Sequence, residues 1–180
     1  MNALKKLILP VMAVALIFTS CKDDDPVAPT LYEELGGTAK VADPNNPGTQ
    51  IEKGRLGIRS VVDSTIFIIA GDSRLTKFFP VLLAEVTSGN LSGFSVLSKN
   101  LTDFISIGAG ATSYTYSGKN MKDAHDPAKN PRMAEKAANA DMDAFIDDVV
   151  KGAKKVGVPD AQIAKVGVVL ESLRADIVQK

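Results

Sequence analysis

Apolar residues return every three or four positions along much of the chain beyond residue 30, the spacing that lines one face of a helix. Between about Gly54 and Ala70 the positions are Ile58, Val61, Val62, Ile66 and Ile69. The β-branched run Thr65–Ile69 also suits a strand, so that reading stays open there. Leu97, Leu101, Phe104 and Ile105 predict a helix of about fourteen residues. Met142, Phe145, Ile146, Val149, Val150 and Ala153 predict an amphipathic helix closed by Gly157. Pro159 then suits the first position of a last helix, with Ile163, Val166, Val169, Leu170, Leu173 and Ile177 on one stripe. At the front, Thr30-Leu31-Tyr32-Glu33 has the spacing of a capping box, and Gly36-Gly37 ends a short helix. Residues 73–86 predict a short helix ending near Phe79-Pro80, then further helical turns. Turn-forming residues mark 38–53 as loop, through Asp43-Pro44-Asn45-Asn46-Pro47-Gly48. The stretches 108–118 and 129–139 are polar or flexible. No internal repeat occurs. The pattern predicts an all-α domain of five or six helices over residues 30–180.

The start of the chain follows other rules. Lys5 and Lys6 precede Leu7–Phe18, twelve apolar residues containing Pro10, and Thr19, Ser20 and Cys21 follow. A basic start, a short apolar run and small residues before a cut describe an export signal over 1–20. The run is too short to span a bilayer as a helix, which takes about 20 residues. Phe18-Thr19-Ser20-Cys21 resembles a bacterial lipobox, with Phe18 where that motif usually has Leu. The resemblance implies lipidation at Cys21 and an exported chain anchored to a membrane, at the periplasmic face or the cell surface. An ordinary signal peptide is the alternative. Residues 21–29 are acidic and proline-containing, as suits a solvated tether. Lys22-Asp23-Asp24-Asp25 is also similar to the surface-export signal of some Gram-negative lipoproteins.

Composition narrows the chemistry. The 180 residues hold one Cys and one His, too few for a disulfide scaffold, a Cys/His zinc site or a protein-ligated iron–sulfur cluster. Twenty-one basic residues balance twenty-one acidic ones, so no electrostatic footprint for nucleic acid exists. No Gly-x-Ser-x-Gly elbow is present, and Gly108-Ala109-Gly110-Ala111 lacks the Lys-Ser/Thr of a phosphate loop.

The stretch Tyr116-Ser117-Gly118-Lys119-Asn120-Met121-Lys122-Asp123-Ala124-His125 closely resembles the surroundings of the proximal histidine in group 1 truncated haemoglobins. Leu31–Gly37 is similar to that family's opening helix and Gly-Gly pair. Val61-Val62-Asp63 looks like the start of its second helix, and Asp72-x-Arg74-Leu75-x-x-Phe78-Phe79 like the next. Gly157-Val158-Pro159 and Leu173-x-x-Asp176-Ile177 resemble its last two helices.

The resemblance implies a two-over-two helical sandwich with extended loops, holding haem. His125 would ligate the iron, and a lone imidazole suffices when a porphyrin supplies four other nitrogens. Met121 would touch the porphyrin face and Phe79 its distal edge, with Phe104 and Val96 on the upper face. The ligand would be a diatomic gas, O₂ or nitric oxide. Two departures alter the distal side. Ile66, with Thr65 before it, stands where the family usually has a Tyr donating to the gas ligand. Asn100 falls where the family often has Gln, and Thr65 is a second candidate donor. Lys99 is a candidate sixth ligand, or a solvated or propionate-pairing lysine. Three stretches, 38–54, 80–92 and 126–141, are longer than in the family. The last replaces the compact turn after the histidine. Two alternatives stand beside gas binding. One is oxidation of nitric oxide, which would require a reductase for which the sequence offers no docking site. The other is a globin fold that has lost haem and serves as a surface interaction domain.

Overall fold

The computed structural model describes residues 28–180. The export signal 1–20, Cys21 with its expected lipid, and all but the last two residues of the tether lie outside the described residues. Among the described residues no helix is long and apolar enough to cross a membrane.

Helix α1, Leu31–Glu34, starts at the expected capping box. The Thr30 N–H donates to Glu33 Oε2 at 2.7 Å, and the Glu33 N–H donates to Thr30 Oγ1 at 3.2 Å. The segment expected to be loop instead forms an antiparallel hairpin, β1 Lys40–Ala42 with β2 Gln50–Glu52. Its turn is held from elsewhere in the chain. Asp43 accepts two hydrogen bonds from the Arg59 guanidinium, at 2.7 and 3.2 Å, and others from Asn45 and Asn46. A three-residue strand has too few alternating positions to announce itself, and its anchor lies sixteen residues away.

Helix α2, Lys53–Ile69, settles the ambiguous β-branched run as helix. Ile58, Val61, Val62, Ile66 and Ile69 are all buried on one face, and that packing outweighs the weak strand preference. It begins eight residues before Val61, so Val61-Val62-Asp63 is mid-helix and not a helix start. A 3₁₀ turn over Thr76–Phe78 leads into α3, Pro80–Thr87. Next come α4, Ser92–Gly108, and the single turn α5, Met121–Ala124. Helix α6, Asn139–Lys155, is followed by Gly157 at φ +80°, where a side chain would be strained.

The expected last helix is broken in two: α7, Asp160–Glu171, and α8, Arg174–Ile177. The helical stripe runs through the break, so the pattern alone cannot show it. The chain bends because its end is claimed by a distant segment. Val178 pairs with Ala137, and the Gln179 N–H donates to the Ala137 carbonyl at 2.9 Å.

The architecture is otherwise the expected all-α sandwich. Helix α2 packs on both α4 and α6, and α7 packs on α6. The core runs between the layers, with Met142 and Ala153 of α6 only 1% exposed.

Buried or bridged carboxylates tie the layers together. Arg59 holds the Asp43 carboxyl well below the usual carboxylate range, and Arg74 brings Asp72 down to about 2. Burial tends to raise Asp103, but Lys99 and Arg55 outweigh it and the net shift is downward. A carboxyl with a depressed folded pKa stabilises fully above its unfolded value of about 4, and that stability is lost as pH falls through the folded value. The melting temperature should therefore hold above about pH 5 and fall steeply toward about pH 2. Asp43→Asn should flatten part of that slope in thermal melts across the range. A melting temperature in the wild type that stays level down to about pH 2 would show that these pairs do not contribute.

Candidate functional site

Between α2, α3 and α4 on one side and α5, α6 and the loop after α5 on the other lies a cavity of ≈ 570 Å³. That falls within the range of about 300–1,000 Å³ for small-molecule and cofactor sites. Its walls are mostly apolar, and the structure brings all seven predicted pocket residues to it: Ile66, Phe79, Val96, Asn100, Phe104, Met121 and His125.

The histidine is placed by a short, tightly tied element. Asn120 caps α5: its side chain accepts from the Asp123 N–H at 2.8 Å and donates to Asp123 Oδ2 at 2.8 Å. One turn suffices to bring the Met121 carbonyl beneath the ring. That carbonyl accepts the His125 backbone N–H at 3.3 Å and His125 Nδ1 at 2.8 Å. A carbonyl only accepts, so Nδ1 carries the proton and Nε2 keeps its lone pair. Nε2 has no hydrogen-bond partner among the described residues. Burial pushes the imidazole below its ordinary pKa, more than the Met121 carbonyl pulls it up, so the ring is neutral at pH 7.

Tyr116 and Gly118 lock the approach to α5. The Tyr116 hydroxyl donates to the Lys119 carbonyl at 2.6 Å, and its ring meets Phe104 edge-on at 5.4 Å. A side chain at Gly118 would run into the Tyr116 ring, which explains the glycine in this stretch.

On the opposite wall Ile66 is buried and offers no polar group. Asn100, half-buried on α4, has no hydrogen-bond partner among the described residues, so its amide is free to donate into the cavity. The other two candidates are engaged elsewhere. Thr65 donates its hydroxyl to the Val61 carbonyl at 2.8 Å, and Lys99 pairs with Asp103 at 2.7 Å. Neither lines the cavity. Asp103 holds Lys99 through i,i+4 spacing and also takes Arg55, 48 residues away, at 2.5 Å. Val96 lines the mouth and is 59% exposed.

The cavity also has walls that were not assigned to it. Leu97, Leu101, Met142, Phe145 and Ile177 were legible as core positions, and a cofactor pocket draws on the same apolar faces. Phe67 and Phe94, with ring centroids 5.4 Å apart, flank the mouth. Asn130, Arg132 and Met133 come from the long loop, where nothing in the sequence pattern marks them. Among the described residues no cluster of three or more His, Cys, Asp and Glu could hold a metal ion by itself.

No protein-family model and no curated protein matches the sequence. Solved structures do match the fold. A Tyr-to-Phe variant of the truncated haemoglobin from Tetrahymena pyriformis, in its Fe(III) form, is 26% identical, with a TM-score of 0.60. It covers 84% of this chain and 100% of its own. A Gln-to-Glu variant of the same protein gives the same figures. The unsubstituted Fe(III) form is 24% identical over the same share of each chain, with a TM-score of 0.58. The fold is thus that of a truncated globin.

Proposed function

We propose that this truncated-globin fold binds haem through His125 and presents a diatomic gas, O₂ or nitric oxide, to the distal side of the cavity. The observation that carries the reading is the state of His125. Its Nδ1 is spent on the Met121 carbonyl, and its Nε2 lone pair is left without a partner in a largely apolar cavity. Neutral imidazole with an oriented second nitrogen is what an axial iron ligand requires. The neighbours in fold are truncated haemoglobins in Fe(III) form, which supports the same reading.

Haem, when bound, supplies the iron and four of its ligands. The remaining work falls to side chains. Met121, Phe79 and Phe104 would pack against the flat apolar faces and keep water out. Lys119, a cation on the lining, would meet a carboxylate of the group, while Arg132 is already taken by Glu85. Asn100 is the donor available to a gas ligand on a wall where Ile66 offers none.

Titrating the chain with hemin tests the proposal. A Soret band that saturates at one equivalent is expected, and its absence overturns the reading. Asn100→Leu should then leave hemin uptake intact and release O₂ faster. One lost hydrogen bond of about 1–3 kcal/mol corresponds to roughly 5- to 150-fold. Flash photolysis or stopped flow reads that rate, and an unchanged rate removes Asn100 from the distal site.

A further inference from the structure

We infer that Asn130 and Arg132, in the long loop after His125, are positioning residues for that histidine and tie it to the opposite wall of the cavity. The inference deepens the haem-binding reading and rests on it for its functional meaning.

Asn130 brackets His125 from both sides. Its side-chain Nδ2 donates to the carbonyl of Ala124, the residue before the histidine, at 2.7 Å. Its backbone N–H donates to the carbonyl of Asp126, the residue after, at 2.8 Å. The peptide group just before His125 and the one that follows Asp126 are thus held by one residue. Asn130 Oδ1 in turn accepts the Arg132 N–H at 3.3 Å. The Arg132 guanidinium then reaches across to α3 and grips both oxygens of Glu85, at 2.9 and 2.6 Å. A bidentate guanidinium–carboxylate pair fixes direction as well as distance.

The crossing is built for this contact. The pair passes over Gly93 of α4, where any Cβ would collide with both the Glu85 carboxylate and the Arg132 guanidinium. Beyond Arg132 the loop is pinned again, as the Ala134 N–H donates to the Phe78 carbonyl at 3.3 Å. Glu85, Arg132 and Asn130 all line the cavity. A short turn could hold a histidine with local bonds alone. This loop is too long for that and instead borrows rigidity from α3. The Glu85–Arg132 pair is partly exposed, so salt should weaken it, whereas the Asn130 bonds are less accessible to screening.

The chain has one histidine, so 15N-histidine labelling of the full chain gives a single imidazole spectrum. In the wild type we expect one tautomer, protonated on Nδ1, with a slowly exchanging Nδ1 proton. Asn130→Ala and Arg132→Gln should each speed that exchange and weaken hemin binding about tenfold or more, the scale of losing a group that orients a metal ligand. Both should also shift the iron–histidine stretching band of the hemin-loaded, reduced protein. The charge swap Glu85→Arg with Arg132→Glu should restore the wild-type exchange rate. Thr30→Ala, which removes a helix cap outside the cavity lining, should lower stability and leave the imidazole signal alone. Should Asn130→Ala fail to fold, Arg132→Gln and the charge swap decide the matter. Wild-type exchange and tautomer in Arg132→Gln would overturn the inference. If the imidazole responds as expected but the wild type takes up no hemin, the haem reading fails and the positioning role stands.

Discussion

His125→Ala should abolish the hemin Soret band at concentrations where the wild type is saturated. Losing a residue that merely orients a metal ligand costs about 10- to 100-fold in affinity, and losing the ligand itself should exceed 100-fold, or about 2.7 kcal/mol. No second imidazole exists in the chain to take its place, and Cys21 is its only thiol. Lys99 is held by Asp103 at 2.7 Å and does not line the cavity. The substitution opens space at the end of a single helical turn whose cap, Asn120, is untouched, so the fold should survive. Free imidazole added at millimolar concentration should restore the band by entering the vacated space. Absorption titrations of wild type, His125→Ala and His125→Ala with imidazole read all three outcomes. A band of undiminished strength in His125→Ala sinks the assignment of this residue to the iron.

Gly152→Leu should be among the damaging substitutions in the scaffold. Gly152 of α6 meets Thr65 of α2, and a Cβ there would sit 3.0 Å from the Thr65 backbone nitrogen and 3.1 Å from its Cα. Backbone cannot swing aside as a long side chain can. Thr65 is also fixed by its hydroxyl bond to the Val61 carbonyl at 2.8 Å. Overpacking in a closed core costs about 1–3 kcal/mol, and a clash against backbone belongs at or above the upper end. For a chain of this size that lowers the melting temperature by roughly 6–12 °C. Both helices carry cavity walls, Ile66 on α2 and Phe145 on α6, so hemin should also bind less tightly. Gly167→Ala is the matched control, since a Cβ there meets nothing within 4 Å. It should be neutral or stabilising by about 0.5–1 kcal/mol, as expected for replacing a mid-helix glycine. A melting temperature for Gly152→Leu within about 2 °C of wild type would show that α2 and α6 do not approach this closely.

The pocket was more legible than its polar details. Ile66, Phe104 and Met121 reach the cavity because apolar residues at helical spacing have few places to go in a two-layer sandwich. His125 was marked by the motif around it. The competition among Asn100, Thr65 and Lys99 could not be ranked from spacing. Thr65 is spent on its own helix and Lys99 on Asp103, while Asn100 has no competing partner. The long loop was recognised as unusual, but nothing local indicates that Arg132 reaches Glu85, 47 residues earlier in the chain.

What the sequence determined by itself is therefore periodic or singular. Helical faces repeat every 3.6 residues, the Thr30–Glu33 cap is local, and a lone imidazole singles out one position. The tertiary structure decided what depends on distant partners. Arg59 reaching Asp43 holds the turn of a hairpin where a loop was expected. Ala137 draws the chain end aside and breaks the last helix after Glu171. Ion pairs and hydrogen bonds between such separated residues commit each polar group once, and only in the folded chain is it settled which groups remain free to meet a ligand.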